Sequence, residues 1–141
     1  MNGVFGEYNS TKGDKMKEFE ELLSVVKNTL QSVTPQQYTQ VIALSSNNGY
    51  ICYVVINNAL SGEKTAAKQL INQLIENNAT LVKKIVCVWA KNGVSMLDYV
   101  DMPSYNFRKM LCDCNSDNVN AEILLKGKEK FITKTIGQTM C

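Results

Sequence analysis

Lys84-Ile85-Val86-Cys87-Val88-Trp89 decides how this chain is built. The run is rich in β-branched residues and almost wholly apolar at its centre. A strand of that kind lies in the middle of a sheet covered on both faces, where every side chain is buried. Upstream, Ala66, Ala67, Leu70, Ile71, Leu74 and Ile75 recur on one helical face, closed by Glu76-Asn77-Asn78. Before that helix, residues 50–56 and 38–44 read as two strands joined by the turn Ser45-Ser46-Asn47-Asn48-Gly49, a hairpin. Met16, Phe19, Leu22, Leu23, Val26, Leu30 and Val33 form one apolar face of a helix over residues 15–33, ended by Pro35. Downstream, Lys91-Asn92-Gly93 turns the chain, and residues 94–100 read either as an extra strand or as a loop. Asp101 is the expected cap of a third helix with Pro103 near its first turn. Phe107, Met110, Leu111 and Cys114 would be its buried face. Residues 120–125 and 129–135 read as strands around Lys126-Gly127-Lys128, and residues 135–141 as holding a short last helix. The order α-β-β-α-β-α-β-β predicts a two- or three-layer α/β domain with a partly parallel sheet.

A chain of 141 residues suits one domain with one core: residues 1–15 read as a flexible N-terminal segment, and residues 16–141 as the domain. Hydrophobic residues at 45% against 20% charged are too apolar for disorder. A formal net charge of +2 calls for neither nucleic acid nor an anionic membrane as partner. No apolar run approaches the roughly 18 residues that would span a bilayer, and no signal-like stretch opens the chain. A cytoplasmic protein is expected. The five cysteines are odd in number, and Cys52 and Cys87 fall inside apolar strands, so reduced, mostly buried thiols are expected. There is no histidine. That absence excludes Ser-His-Asp and Cys-His catalysis, histidine acid–base work and every histidine-containing zinc set. No glycine-rich phosphate loop is present.

Two segments carry a resemblance. Ser61-Gly62-Glu63-Lys64-Thr65-Ala66-Ala67 opens the second helix and is similar to the Cys-Ala-Glu-Arg-Thr-Ala segment of the cytidine deaminase superfamily. Pro103-Ser104-Tyr105-Asn106-Phe107-Arg108-Lys109-Met110-Leu111 opens the third helix and resembles that family's Pro-Cys-Gly-x-Cys-Arg-Gln-x-Leu. Ile56-Asn57-Asn58-Ala59 resembles its substrate-loop segment Ile-Glu-Asn-Ala, and residues 121–128 followed by Phe131 resemble its closing hairpin. The resemblance spans residues 15–140. It implies a three-layer α/β/α cytidine deaminase-like fold with a mixed five-stranded sheet. It also implies a homo-oligomer, dimer or tetramer.

In that family one His or Cys and two further Cys hold a zinc ion that activates water, while the glutamate moves the proton. The matching ligand positions here are Ser61, Ser104 and Phe107, and only Glu63 is retained. A serine hydroxyl stays protonated near neutral pH, and a phenyl ring does not ligate zinc. Zinc takes the pKa of bound water from about 15.7 to about 7, a difference on the order of 12 kcal/mol. General acid–base catalysis contributes roughly 10²–10⁴-fold, so a lone carboxylate does not replace the metal. The ribose-holding positions fall at Val55 and Asn57. The loop between Ala59 and Ser61 is shorter than the family's. The stretch 92–102 is longer, as if it covered the emptied site.

The resemblance therefore implies a catalytically inactive deaminase-like protein with no bound zinc and no cofactor. It would act by binding or by oligomer assembly, with Glu63 as a relic of the catalytic group. The ligand-binding candidates are Val55, Asn57 and Glu63. Two alternatives stay open: a protein that binds a nucleoside or nucleotide, and a divergent cytidine deaminase-type hydrolase using Glu63, Cys87 and Cys112. Each residue also has a plainer role. Glu63 suits the first turn of a helix by its charge. Ser61 and Gly62 suit an N-cap. Phe107 plugs the former metal cavity with apolar volume. Trp89 is core rather than a base-stacking platform. Cys112 and Cys114, two apart on a helix, point to different faces and make a poor metal pair. Lys126, Lys128, Lys130 and Lys134 are a solvated hairpin before they are a phosphate contact.

Overall fold

The computed structural model describes residues 10–32, 39–57, 62–89 and 100–140, with side chains from Met16 onward. Helix α1 (Ser10–Gln31) leads into strands β1 (Gln40–Ser46) and β2 (Ile51–Ile56). Helix α2 (Glu63–Glu76) and strand β3 (Val82–Trp89) follow, then β4 (Val100–Asp101) and helix α3 (Tyr105–Cys114). A 3-10 turn (Ser116–Asn120), strands β5 (Glu122–Lys126) and β6 (Phe131–Thr135) and the short helix α4 (Ile136–Thr139) complete the chain. Helix α1 starts five residues before the sequence predicts, so residues 10–15 belong to it rather than to a flexible lead-in; residues 1–9 lie outside the described residues.

The sheet runs β2-β1-β3-β5-β6 and is mixed. β1 pairs antiparallel with β2 and β3, β5 pairs parallel with β3, and β6 antiparallel with β5. The parallel pair needs a crossover, and α3 supplies it. The five expected strands are all present, and the structure adds a sixth: β4 pairs antiparallel with β3. β4 and β5 share one edge of β3. β5 takes Lys84 and Ile85, and β4 takes Cys87 and Val88. The ambiguous stretch is thus partly strand, and residues 90–99 lie outside the described residues.

β3 is buried along both faces as its composition demands. Val86 and Val88 pack with Val41, Ala43 and Leu124 against Phe19, Leu22 and Val26 of α1. Ile85 and Cys87 pack with Ile42, Leu44, Val54 and Ile123 against Ala67, Leu70 and Leu74 of α2 and Phe107 and Leu111 of α3. Among the described residues one long helix lies on one face and two on the other, so the layers are helix, sheet, helix. Turn geometry closes the hairpins. Gly49 takes φ +85°, which disfavours any side chain, and a Cβ on Gly127 would meet the Lys130 carbonyl oxygen.

Two expectations about α3 are corrected. Its N-cap is Ser104, not Asp101, which belongs to β4 and accepts a bond from the Met102 N–H at 2.7 Å. Its buried face is Phe107, Arg108 and Leu111, while Met110 and Cys114 are half-buried. Arg108 goes inside because its guanidinium finds carbonyls. Nε donates to the Pro103 oxygen at 2.9 Å, and Nη1 to the Thr139 oxygen at 3.1 Å and Oγ1 at 2.8 Å.

Candidate functional site

The N-termini of α2 and α3 meet beside the C-terminal end of β3. Glu63 is the first residue of α2, and Gly62 at the N-cap position offers no side chain to close the helix. Ser104 caps α3 by accepting the Phe107 N–H at 3.2 Å. The same hydroxyl donates to Glu63 Oε1 at 2.5 Å, joining residues 41 positions apart. The Glu63 side chain thus lies where two helix N-termini present unpaired N–H groups and accepts a hydrogen bond from Ser104. Arg108 fixes the other side of the junction, holding the Pro103–Ser104 backbone and tying it to α4.

Beneath this junction the sheet contributes Gln40, Cys87 and Asp101. Gln40 Nε2 donates to Cys87 Sγ at 3.0 Å. Cys87 and Asp101 are cross-strand partners, so their side chains share a face. Burial pushes the Cys87 thiol well above the ordinary range, reinforced by the Asp101 carboxylate and more weakly by Glu63, while the Gln40 bond acts the other way. The thiol is therefore protonated and a poor nucleophile. Gln40 is fully buried, and its Oε1 has no hydrogen-bond partner. Outward, a groove of about 310 Å³ runs between α2 and α3, with Glu63 and Lys64 on one wall and Phe107, Lys109 and Asp113 on the other.

The structure brings together three residues singled out from sequence: Glu63, Ser104 and Phe107. Phe107 is 1% exposed and packs in the core below the junction, where the sequence predicts an apolar plug. Ser61 and residues 58–60 lie outside the described residues. Val55 is not brought to the site. It lies half-buried on the α1 face of the sheet, opposite Glu63. Asn57 is exposed just beyond β2, its carbonyl accepting from Thr39 Oγ1 at 3.3 Å. Cys112 and Cys114 are half-buried thiols whose pKa values are raised, chiefly by burial. Trp89 is half-buried opposite Gln40. Lys126, Lys128, Lys130 and Lys134 are exposed, with Lys126 over the Phe131 ring.

The donor set at the junction does not fit zinc. The Ser104 hydroxyl is committed as donor to Glu63 and as acceptor for α3. Phe107 presents a ring. Among the described residues, no three of Cys, Asp and Glu gather in a group able to hold a metal. The hydroxyl–carboxylate pair has the composition of a nucleophile and its base. A carboxylate is nevertheless a weak base for an alcohol, and among the described residues no third side chain is bonded to the pair. Gln40 and Arg108 are neighbours of the site that sequence patterns do not single out. Their only signals are a glutamine opening an apolar strand and an arginine on the apolar face of a helix. Among the described residues no helix is long and apolar enough to cross a membrane. No family model and no curated protein matches the chain.

Proposed function

We propose that this chain is a deaminase-like domain that does not catalyse deamination and acts by binding, as a cytoplasmic homo-oligomer. One observation carries the reading: Glu63, at the position of the family's proton shuttle, is bonded to Ser104, at the position of a zinc ligand. The two groups that would flank a metal-bound water are satisfied by each other. The resemblance of residues 61–67 and 103–111 supports the family reading, and the helix–sheet–helix layering is compatible with it.

Elemental analysis of the purified chain should find zinc far below one atom per chain, and cytidine should not be turned over above the buffer rate. Stoichiometric zinc together with cytidine turnover would overturn the proposal.

A further inference from the structure

Strand β2 ends one side of the sheet. Among the described residues no strand lies beyond it. An end strand presents a row of unpaired N–H and C=O groups, and natural proteins guard such edges with charge, proline or a bulge. β6, at the other end, is guarded in this way. It carries Lys134 on the strand and Lys128 and Lys130 in the turn before it, all exposed. Ile51-Cys52-Tyr53-Val54-Val55-Ile56 has no such device. It holds no charge and no proline, and its register with β1 runs unbroken from Gln40–Ile56 to Ser45–Ile51.

The side chains of β2 differ between its two faces. Cys52, Val54 and Ile56 are buried in the cluster that α2 covers. Ile51 and Val55 pack half-buried on the α1 face, and Tyr53, between them on that face, is 48% exposed. α1 lies chiefly over β1 and β3 and reaches β2 only in part. The edge is therefore unguarded along its backbone and apolar along one row of its side chains.

We propose that the β2 edge is a docking surface for a second copy of this chain, which adds its own β2 antiparallel across a two-fold axis. The inference rests on the reading of the domain as a homo-oligomer and names the surface that joins the copies. An uncharged edge meets its own image with no like charges opposed, whereas an acidic or basic partner finds no counter-charge on it. Symmetry then fixes the register. A two-fold axis perpendicular to the sheet keeps the two α1 faces on one side, so paired residue numbers must add to an even total. Centring the axis on the middle of the strand sets Tyr53 against Tyr53 of the second copy, with Ile51 against Val55 on either side. Tyrosines directly opposite across two strands form a favourable aromatic pair. The contact is isologous, so it closes after two copies and leaves no further β2 edge to recruit a third.

The test is the mass of the full chain by size exclusion with light scattering over a range of concentrations. The mass should be at least twice that of one chain. Tyr53→Lys and Val55→Lys, each placing a charge on the edge, should at least halve it while circular dichroism stays native. Ile132→Lys, on the opposite end strand and exposed in the same degree, should leave it unchanged. A short bismaleimide should join Tyr53→Cys to itself, seen by peptide mass spectrometry as a 53–53 link. Ile75→Cys, on α2 and more exposed than Tyr53, should give no 75–75 link. If the lysine variants do not fold, the 53–53 link decides. An oligomer whose mass survives Tyr53→Lys, or which gives no 53–53 link, would overturn this inference alone and leave assembly through another surface. A chain that stays monomeric at every concentration would overturn both this inference and the homo-oligomer beneath it.

Discussion

The Ser104 hydroxyl does two jobs with one oxygen. It caps α3 and it donates to Glu63. Ser104→Ala should therefore lower stability by about 1–2 kcal/mol, read as a lower urea midpoint at unchanged slope. Ser104→Asp separates the two jobs. Aspartate caps helices as well as serine, but here it would set a second carboxylate against Glu63. It should be no more stable than Ser104→Ala, where an ordinary cap site would tolerate it fully. The positions of Glu63, Ser104 and Phe107 were legible from the motif. The bond between the first two was not, because 41 residues of chain separate them and only the fold closes that distance. The buried thiols give a pH effect of definite sign. Burial pushes Cys52 from an ordinary 9.0 up to about 12, and Cys87 higher still. The folded chain then keeps protons that the unfolded chain releases. The contribution is fully present below about pH 9 and is lost as pH rises toward 12, at up to about 1.4 kcal/mol per pH unit for each thiol. Urea midpoints should fall between about pH 8 and pH 10, and Cys52→Val should shallow the fall.

Elements are joined here by two polar residues that periodicity does not reveal. Asn118, in the 3-10 turn, is fully buried. Its Oδ1 accepts the Val82 N–H at 2.8 Å, and its Nδ2 donates to the carbonyls of Leu111 at 2.8 Å and Thr80 at 2.9 Å. One side chain thus fastens the start of β3 to the end of α3. Asn118→Ala strands three backbone groups in the interior, and at about 1–3 kcal/mol for each lost partner the domain should lose on the order of 3 kcal/mol. Asn118→Asp keeps the acceptor and loses both donor bonds, so it should also be strongly destabilised. Chemical denaturation of both variants checks the pair. Lys84 works similarly on the opposite face. It is buried between Glu122 of β5, at 2.5 Å, and Glu18 of α1, at 3.5 Å, with Phe19 beneath it. In the sequence these are an asparagine in a polar connector and a lysine at a strand's edge, both residues that pattern alone places in solvent. Apolar repeats located the helices and the five long strands because burial writes itself into every third, fourth or second residue. β4 has two residues and no period to write.

At the scale of the whole molecule, the layering depends on α1. The central strands bury both faces because a helix waits on each, and the alternation of Val41 and Ala43 with Ile42 and Leu44 assigns side chains to one face or the other. That two-sided burial was legible in the unbroken apolar run of β3. Which helix covers which face was not, since no local pattern says how a chain crosses over. On the α1 face, among the described residues, the helical members of the buried cluster all come from α1: Phe19, Leu22 and Val26, each with no exposure. At about 2 kcal/mol for each large apolar side chain, their burial is worth roughly 6 kcal/mol, within the range of the whole net stability of a domain. Val41, Ala43, Val86 and Val88 would otherwise meet water as one continuous apolar strip across the two central strands. A chain lacking residues 1–31 should therefore not yield a smaller native domain. It should bind hydrophobic dyes, lose near-ultraviolet dichroism around Trp89 and self-associate, while retaining much of its far-ultraviolet signal. Had α1 been an appendage, the truncated chain would unfold cooperatively and remain monomeric. Single substitutions probe the same contact in graded form. Leu22→Ala should cost about 3 kcal/mol, and Lys17→Ala, one turn away and exposed, should cost almost nothing.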